Sequence, residues 1–351
     1  MVSLVPGRIL PLLAVLVFSA PGVLFAKAFE ETISPRARLI IDNDFGGDPD
    51  GLFQLAHHVL SPTMDVRGVI GSQHHESGFY GLPGSAEHGA AMATELLGVM
   101  GLAGKVPVLT GASAKLADPR TPARSEAAEL IVREAMRDDT KAPLYIACGA
   151  GLTNLASAYL IEPRIGPRVR LIWIGGPEHD GLALPPPGKK RVEYNLSIDP
   201  AAAQVVFNAS DIAIWQVPRD AYRQAMVSYP ELVRRVKAEG PTGAYLMGRL
   251  DDLLKRAKKS LGETYVLGDN PLVLLTALQS SWEVDPASSA YVVRRAPRIT
   301  DAGWYEANPE GREIRVYTRL DTRLMFEDFY AKLALFAAAP RATGGGAEAR
   351  N

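Results

Sequence analysis

Four carboxylates crowd residues 42–50: Asp42, Asp44, Asp48 and Asp50, with Gly46 and Gly47 between them. Carboxylates that close repel unless something neutralises them. The economical neutraliser is a hard cation held by oxygen, of the Ca2+ or Mg2+ kind. An exposed turn could carry the same charges in water at little cost, but the flanking residues favour the metal. Leu39-Ile40-Ile41 before the cluster read as a buried strand, and Leu52, Phe53, Leu55, Ala56, Val59 and Leu60 after it read as a helix face. The end of a buried strand is where open α/β sheets place their ligands.

Other polar residues fall at comparable places. Residues 149–156 (GAGLTNLA) follow an apolar run, and Gly175-Gly176 follow another. Residues 192–200 (VEYNLSIDP) and 268–272 (GDNPL) each precede a helical pattern. Strand ends and helix starts of this kind converge on one edge of a parallel sheet. His74 and His75 follow a strand and face that edge, where an imidazole could contact a sugar or protonate a leaving group near neutral pH. An exposed polar turn is the plainer alternative for them. His57 and His58 lie inside the first helix and read as structural or solvated. His179 opens a proline-rich stretch, 179–191, on which it could ride as part of a lid. Cys148 is the only cysteine, so no intramolecular disulfide forms; at the end of an apolar run it reads as a buried, inert thiol. Trp173 and Trp215, within apolar runs, read as core.

These groups need a frame to position them. Apolar runs at 37–41, 66–70, 106–109, 143–148, 169–174 and 212–217 alternate with helical patterns at 51–60, 84–101, 124–136, 152–160 and 200–208. The alternation predicts an α/β fold: a mainly parallel central sheet with helices on both faces, Rossmann-like. Beyond residue 219 the pattern turns helix-rich and charged at 229–259. An apolar helix is expected at 270–281, an antiparallel hairpin from 291–294 and 314–317, and a last helix at 321–337. One domain is expected over 35–338, followed by a disordered tail at 339–351. Arg8, an apolar core and Ala26-Lys27-Ala28 predict a signal peptide over 1–28, hence a secreted or periplasmic protein. No later stretch is apolar enough to span, so no membrane partner is expected after cleavage. The net charge of −1 without a basic stripe argues against nucleic acid.

Taken together, the stretches resemble the inosine–uridine preferring nucleoside hydrolase family from roughly residue 38 to residue 335. The family's DTDPGxDDA motif is met by Asp42 to Gly51, its GPLTNIA by Ala150 to Ala156, its EFN and DPEAA by Glu193 to Ala203, and its HDP by Gly268-Asp269-Asn270-Pro271. The resemblance implies a nucleoside hydrolase-like domain binding one Ca2+. Asp44 and Asp269 would be carboxylate ligands, and Gly149 would give a backbone carbonyl. Of Asp48 and Asp50, one would be the general base and the other a ligand; Asp48 as base and Asp50 as ligand keeps the metal shell full. Glu193 and Asn195 match residues that bind ribose hydroxyls, and His75, beside His74, falls near the family's asparagine after an early strand. The implied reaction is hydrolysis of the N-glycosidic bond of a ribonucleoside or related riboside, releasing ribose and base. The chain departs from the pattern at Gly51, where an Asp is expected, and at Gly268, where relatives carry a histidine that helps protonate a purine. Those departures keep open a binding protein that holds metal and sugar without turnover. A phosphotransferase of the haloacid dehalogenase type, suggested by Asp42-x-Asp44, lacks its hydroxyl residue and a nucleotide-binding loop. A homo-oligomer stays open.

Overall fold

The computed structural model describes residues 32–79, 82, 84–188 and 192–339. The leader expected at 1–28 and the tail expected beyond Ala339 lie outside the described residues. Twelve strands are formed among them: β1 (Ala37–Asn43), β2 (Met64–Gly71), β3 (Val108–Thr110), β4 (Leu144–Gly149), β5 (Val169–Ile174), β6 (Ala213–Val217), β7 (Met226–Ser228), β8 (Thr264–Val266), β9 (Ala290–Arg295), β10 (Arg298–Ile299), β11 (Tyr305–Glu306) and β12 (Glu313–Arg319). Eight make one sheet in the order β3-β2-β1-β4-β5-β6-β12-β9, while β7–β8 and β10–β11 form two small antiparallel pairs. Every neighbour in the large sheet is parallel except β9, which runs antiparallel to β12.

Both faces of the sheet are covered, which is why its strands read as unbroken apolar runs rather than as alternations. Leu39 and Ile41 pack with Leu52 and Phe53 of the helix Asp50–Val59, Leu96 of Ala86–Val99, Leu246 of Gly240–Ala257 and Phe329 of Thr322–Ala338. Ile40 points the other way, with Ile146 and Trp173, onto Ile131 of Glu126–Ala135 and Leu155 of Thr153–Ile161. Strand order reverses between β1 and β4, so the carboxyl ends of these two strands open a crevice. This is the place where doubly wound sheets bind ligands.

Three expected elements differ. The helix expected at 270–281 is reduced to Pro271–Leu274. Pro271 starts it, but the Thr276 hydroxyl takes the Leu272 carbonyl at 2.6 Å, a side-chain bond that competes with continued helix. The helix expected at 200–208 is Pro200–Gln204 followed by a wider π-turn, Val205–Ala209. Its loosened carbonyls are gathered by Arg312, which donates to Val206 at 2.7 Å and Phe207 at 2.9 Å. The late strands do pair antiparallel, Ile314 against Arg294 and Tyr317 against Tyr291, but β10 and β11 come between them in sequence, and β12 inserts beside β6. No described helix is long and apolar enough to cross a membrane.

Candidate active site

The crevice between β1 and β4 is built from the turn that follows β1. Asn43 ends the strand, the Gly47 amide closes the turn by donating to the Asp44 carbonyl at 2.8 Å, and a helix starts at Asp50 just after Pro49. Proline suits that position because the first helical amides have no partner in the helix. Asp48 and Asp50 are partly buried and Asp44 is buried. Asp269 arrives from the loop between β8 and the helix Pro271–Leu274, and it too is buried. The Asn43 amide nitrogen donates to Asp269 Oδ2 at 2.9 Å and so joins two segments far apart in the chain. Gly149, at the end of β4, lies against the same pair: a Cβ there would sit 2.6 Å from both Asn43 Nδ2 and Asp269 Oδ1. Only glycine allows that approach. A Cβ on Gly268 would lie 3.2 Å from Asp50 Oδ2. Asp48 Oδ1 accepts from the Tyr265 hydroxyl of β8.

The electrostatics set this group apart. Burial first, then the charges of Asp269, Asp48 and other carboxylates, hold Asp44 well above its ordinary range. Burial and the same neighbours do so for Asp50. Burial lifts Asp48 to about 7, and burial with Asp48 and Glu193 lifts Asp269 to about 7 despite the Asn43 bond. The leading charges acting on Asp44, Asp50 and Asp269 are all carboxylates. Among the described residues no three His, Cys, Asp or Glu side chains stand in a ready metal-holding geometry. The donor chemistry nevertheless fits a hard divalent cation: buried oxygen ligands, uncompensated negative charge and a partnerless Asn43 Oδ1 beside them. Asp44, Asp50 and Asp269 are the carboxylates such a cation would draw on, with Gly149 alongside Asp269.

The wall nearest β5 carries the residues expected to meet the sugar. Buried Glu193 caps the short helix Tyr194–Ile198 by accepting from the Leu196 amide at 3.0 Å. It also accepts from the Gly176 amide at 2.8 Å and the Tyr222 hydroxyl at 3.0 Å. Burial pushes its carboxyl up while the backbone donors pull it down. Asn195 donates to the Ile174 carbonyl at 2.8 Å, which pins it to the end of β5. Tyr194 meets Phe79 edge-on at 5.6 Å, and its phenol is pushed up by burial and then by the charge of Asp44.

Other motif residues are cross-ties. Asp42 accepts from the Ser72 hydroxyl and from Asn154 at 3.2 Å, and Asn154 accepts from the Ala112 amide at 2.9 Å. Asp199 accepts from the Thr153 hydroxyl at 2.7 Å and from the Leu116 and Ala202 amides at 2.9 Å. Both carboxylates hold loops to strands. His75 is partly buried, with Nδ1 2.7 Å from the Ser77 hydroxyl in a local turn. His74 is buried, and the charges acting on it are those of His88, Arg256 and His75 rather than the carboxylates. His179 is no lid residue: it is buried, with Nε2 2.9 Å from Gln216 Oε1, and packs on Tyr305. His57 and His58 are both buried, as is the Cys148 thiol. Trp173 and Trp215 are core.

Asn43, Tyr265 and Tyr222 were not singled out by sequence. For Asn43 and Tyr222 a signal existed in the two unexpected glycines. Gly51 leaves room for Asn43, since a Cβ there would lie 2.8 Å from Asn43 Oδ1, and a Cβ on Gly268 would lie 3.5 Å from the Tyr222 ring. Nothing in a three-residue strand marks Tyr265.

The comparisons agree with this architecture. The model of the family described as inosine-uridine preferring nucleoside hydrolase matches residues 39–327. An inosine-uridine preferring nucleoside hydrolase of Leishmania major is 34% identical over 143 residues, 40% of this chain and 42% of the relative. Another, of Crithidia fasciculata, is 32% identical over 179 residues, 50% of this chain and 49% of the relative. This chain thus aligns with less than half the length of each. The solved purine-preferring ribonucleoside hydrolase from Gardnerella vaginalis shares the fold with a TM-score of 0.63 at 19% identity, covering 86% of this chain and 99% of that one. With the family's model matched from β1 to the last helix, and a strand-order reversal that gathers Asp44, Gly149 and Asp269, the chain belongs to the inosine–uridine preferring nucleoside hydrolase family.

Proposed function

We propose that the protein is a calcium-dependent N-ribohydrolase, with Asp48 as general base and Asp44, Asp50, Asp269 and the Gly149 carbonyl as metal ligands. The observation that carries this reading is the meeting of Asp44 and Asp269 in one buried cluster of carboxylates, with Gly149 against Asp269. When bound, calcium would neutralise the carboxylates and acidify a nearby water. Asp48, steadied by the Tyr265 hydroxyl, takes a proton from the attacking water. The water oxygen bonds the anomeric carbon while the C–N bond breaks, and its electron pair leaves with the base. Asp44, Asp50 and Asp269 face the positive charge that builds on the sugar. Glu193 and Asn195 orient the ribose hydroxyls, with His74 and His75 lining the approach.

Gly268 offers no imidazole for the departing base, and the neighbouring Tyr222 hydroxyl is committed to Glu193. The substrates are therefore ribosides whose aglycone leaves without an acid at position 268. The same glycine supports the second reading, a metal-dependent sugar-binding protein without turnover. The leader sequence supports export to the periplasm or outside, and the family match over residues 39–327 supports a single hydrolase domain over 35–338. A small riboside is the only partner the cluster calls for.

A reducing-sugar assay over a panel of nucleosides, with calcium and with chelator, tests the reading. Calcium-dependent ribose release is expected. Ribose binding without release from any nucleoside would leave the binding protein. Asp48→Asn separates the two further, since release should collapse while ribose binding persists.

A further inference from the structure

Behind Asp269 runs a buried row of neutral polar side chains that the reaction above does not use. Asn43 Nδ2 lies 3.3 Å from Gln54 Oε1, Gln54 Nε2 touches His58 Nδ1, and His58 Nε2 lies 2.8 Å from the Thr276 hydroxyl. Asn43, Gln54, His58 and Thr276 are buried among apolar neighbours. Polar groups there are costly unless each proton has an acceptor.

The proton directions follow from one end. The Thr276 hydroxyl lies 2.6 Å from the Leu272 carbonyl, which can only accept, so the threonine donates there. Its oxygen then accepts from His58, which must carry its proton on Nε2. The Nδ1 of that neutral ring accepts from the Gln54 amide nitrogen. Burial, the leading influence on His58, favours the same neutral form. The Gln54 oxygen is therefore turned toward Asn43 and accepts one of its two amide hydrogens. The other amide hydrogen goes to Asp269 Oδ2. An amide can ordinarily face either way; here a one-directional chain of donors selects the orientation that presents N–H to the carboxylate.

Space enforces the same placement. The Asn43 amide lies between two glycines. A Cβ on Gly51 would come within 2.8 Å of its oxygen, and one on Gly149 within 2.6 Å of its nitrogen. The glycine that stands where relatives carry an aspartate is thus the clearance for this amide.

The geometry points to Asn43 as the positioning residue for Asp269, with Gln54, His58 and Thr276 fixing which way its amide faces. It rests on the reading of the cluster as a calcium site. A neutral donor holds the late carboxylate toward the metal position without adding a charge to a crowded group. Partners of this kind change metal affinity by about 10–100-fold when removed.

The test is calcium titration by calorimetry on the whole mature chain, with calcium-free melting as the check on folding. Asn43→Ala removes the donor, and Gly51→Ala pushes the amide off its place. Each should weaken calcium binding by about tenfold. The double variant should also lose about tenfold rather than about a hundredfold, because both changes act through one contact. His58→Phe should weaken binding similarly, whereas His58→Asn, which keeps an acceptor facing Gln54, should stay within about threefold of wild type. Folded single variants that bind calcium as wild type does, or a double variant whose losses multiply, would overturn the assignment. Wild-type protein that binds no calcium would overturn the metal site itself, and the assignment with it.

Discussion

Asp42 and Asp44 stand two residues apart at the end of β1, both buried, in opposite surroundings. Asp42 is answered by donors, Ser72 and Asn154, and burial leaves its carboxyl at about 6. Burial and then the charges of other carboxylates hold Asp44 well above its ordinary range. The contrast recurs between Asp199, which takes bonds from Thr153, Leu116 and Ala202, and Asp269, whose one side-chain donor among the described residues is Asn43. Residue type does not separate the members of these two pairs. The supply of donors around each carboxylate does.

Substitutions should pull the two sets apart. Asp44→Asn is expected to lower kcat/KM for ribose release by about 10^3-fold or more. It should also raise the calcium-free melting temperature, since one of several mutually repelling buried charges is gone. A calcium-free protein that melts lower would erase the distinction. Acid gives the next largest effect, through the helix that carries the acidic turn. Burial holds His57 down to about 4, against about 6.5 in the unfolded chain. At this site the unfolded state therefore binds more protons between these values, so the His57 contribution to stability falls as pH drops from about 6.5 to 4, against the opposite contribution of Asp42, Asp48 and Asp269, whose raised carboxyls take protons first in the folded state. The loss from His57 is about 3 kcal/mol. The difference in stability between wild type and His57→Gln, read from urea midpoints, should shift across that window by this amount; a difference that does not change with pH would refute it. Asp42→Ala is expected to cost about 2 kcal/mol, because Ser72 and Asn154 lose their acceptor, while calcium affinity stays within about threefold. A large loss of affinity with little loss of stability would place Asp42 with the ligands instead.

The parallel strands were legible because a strand buried on both faces must be apolar at every position, as Leu39-Ile40-Ile41 is. Helix ends were less so: the break after Leu274 depends on where the Thr276 hydroxyl turns, which spacing does not encode. Asp44 and Asp269 were legible from motif and position. Asn43 was not, because its role lies in a contact with a residue on the far side of the chain. Gly51, a departure from the family motif where an Asp is expected, is understood only once the Asn43 amide is seen against it.

The position of β12 has a consequence for how the molecule is made. Among the described residues it is the last strand in sequence, yet it lies inside the sheet, between β6 and β9. A polypeptide leaving the ribosome keeps β6 as a bare hydrogen-bonding edge until residues 313–319 emerge. An interrupted product ending before that strand would expose this edge and aggregate rather than persist as a weakened version of the protein.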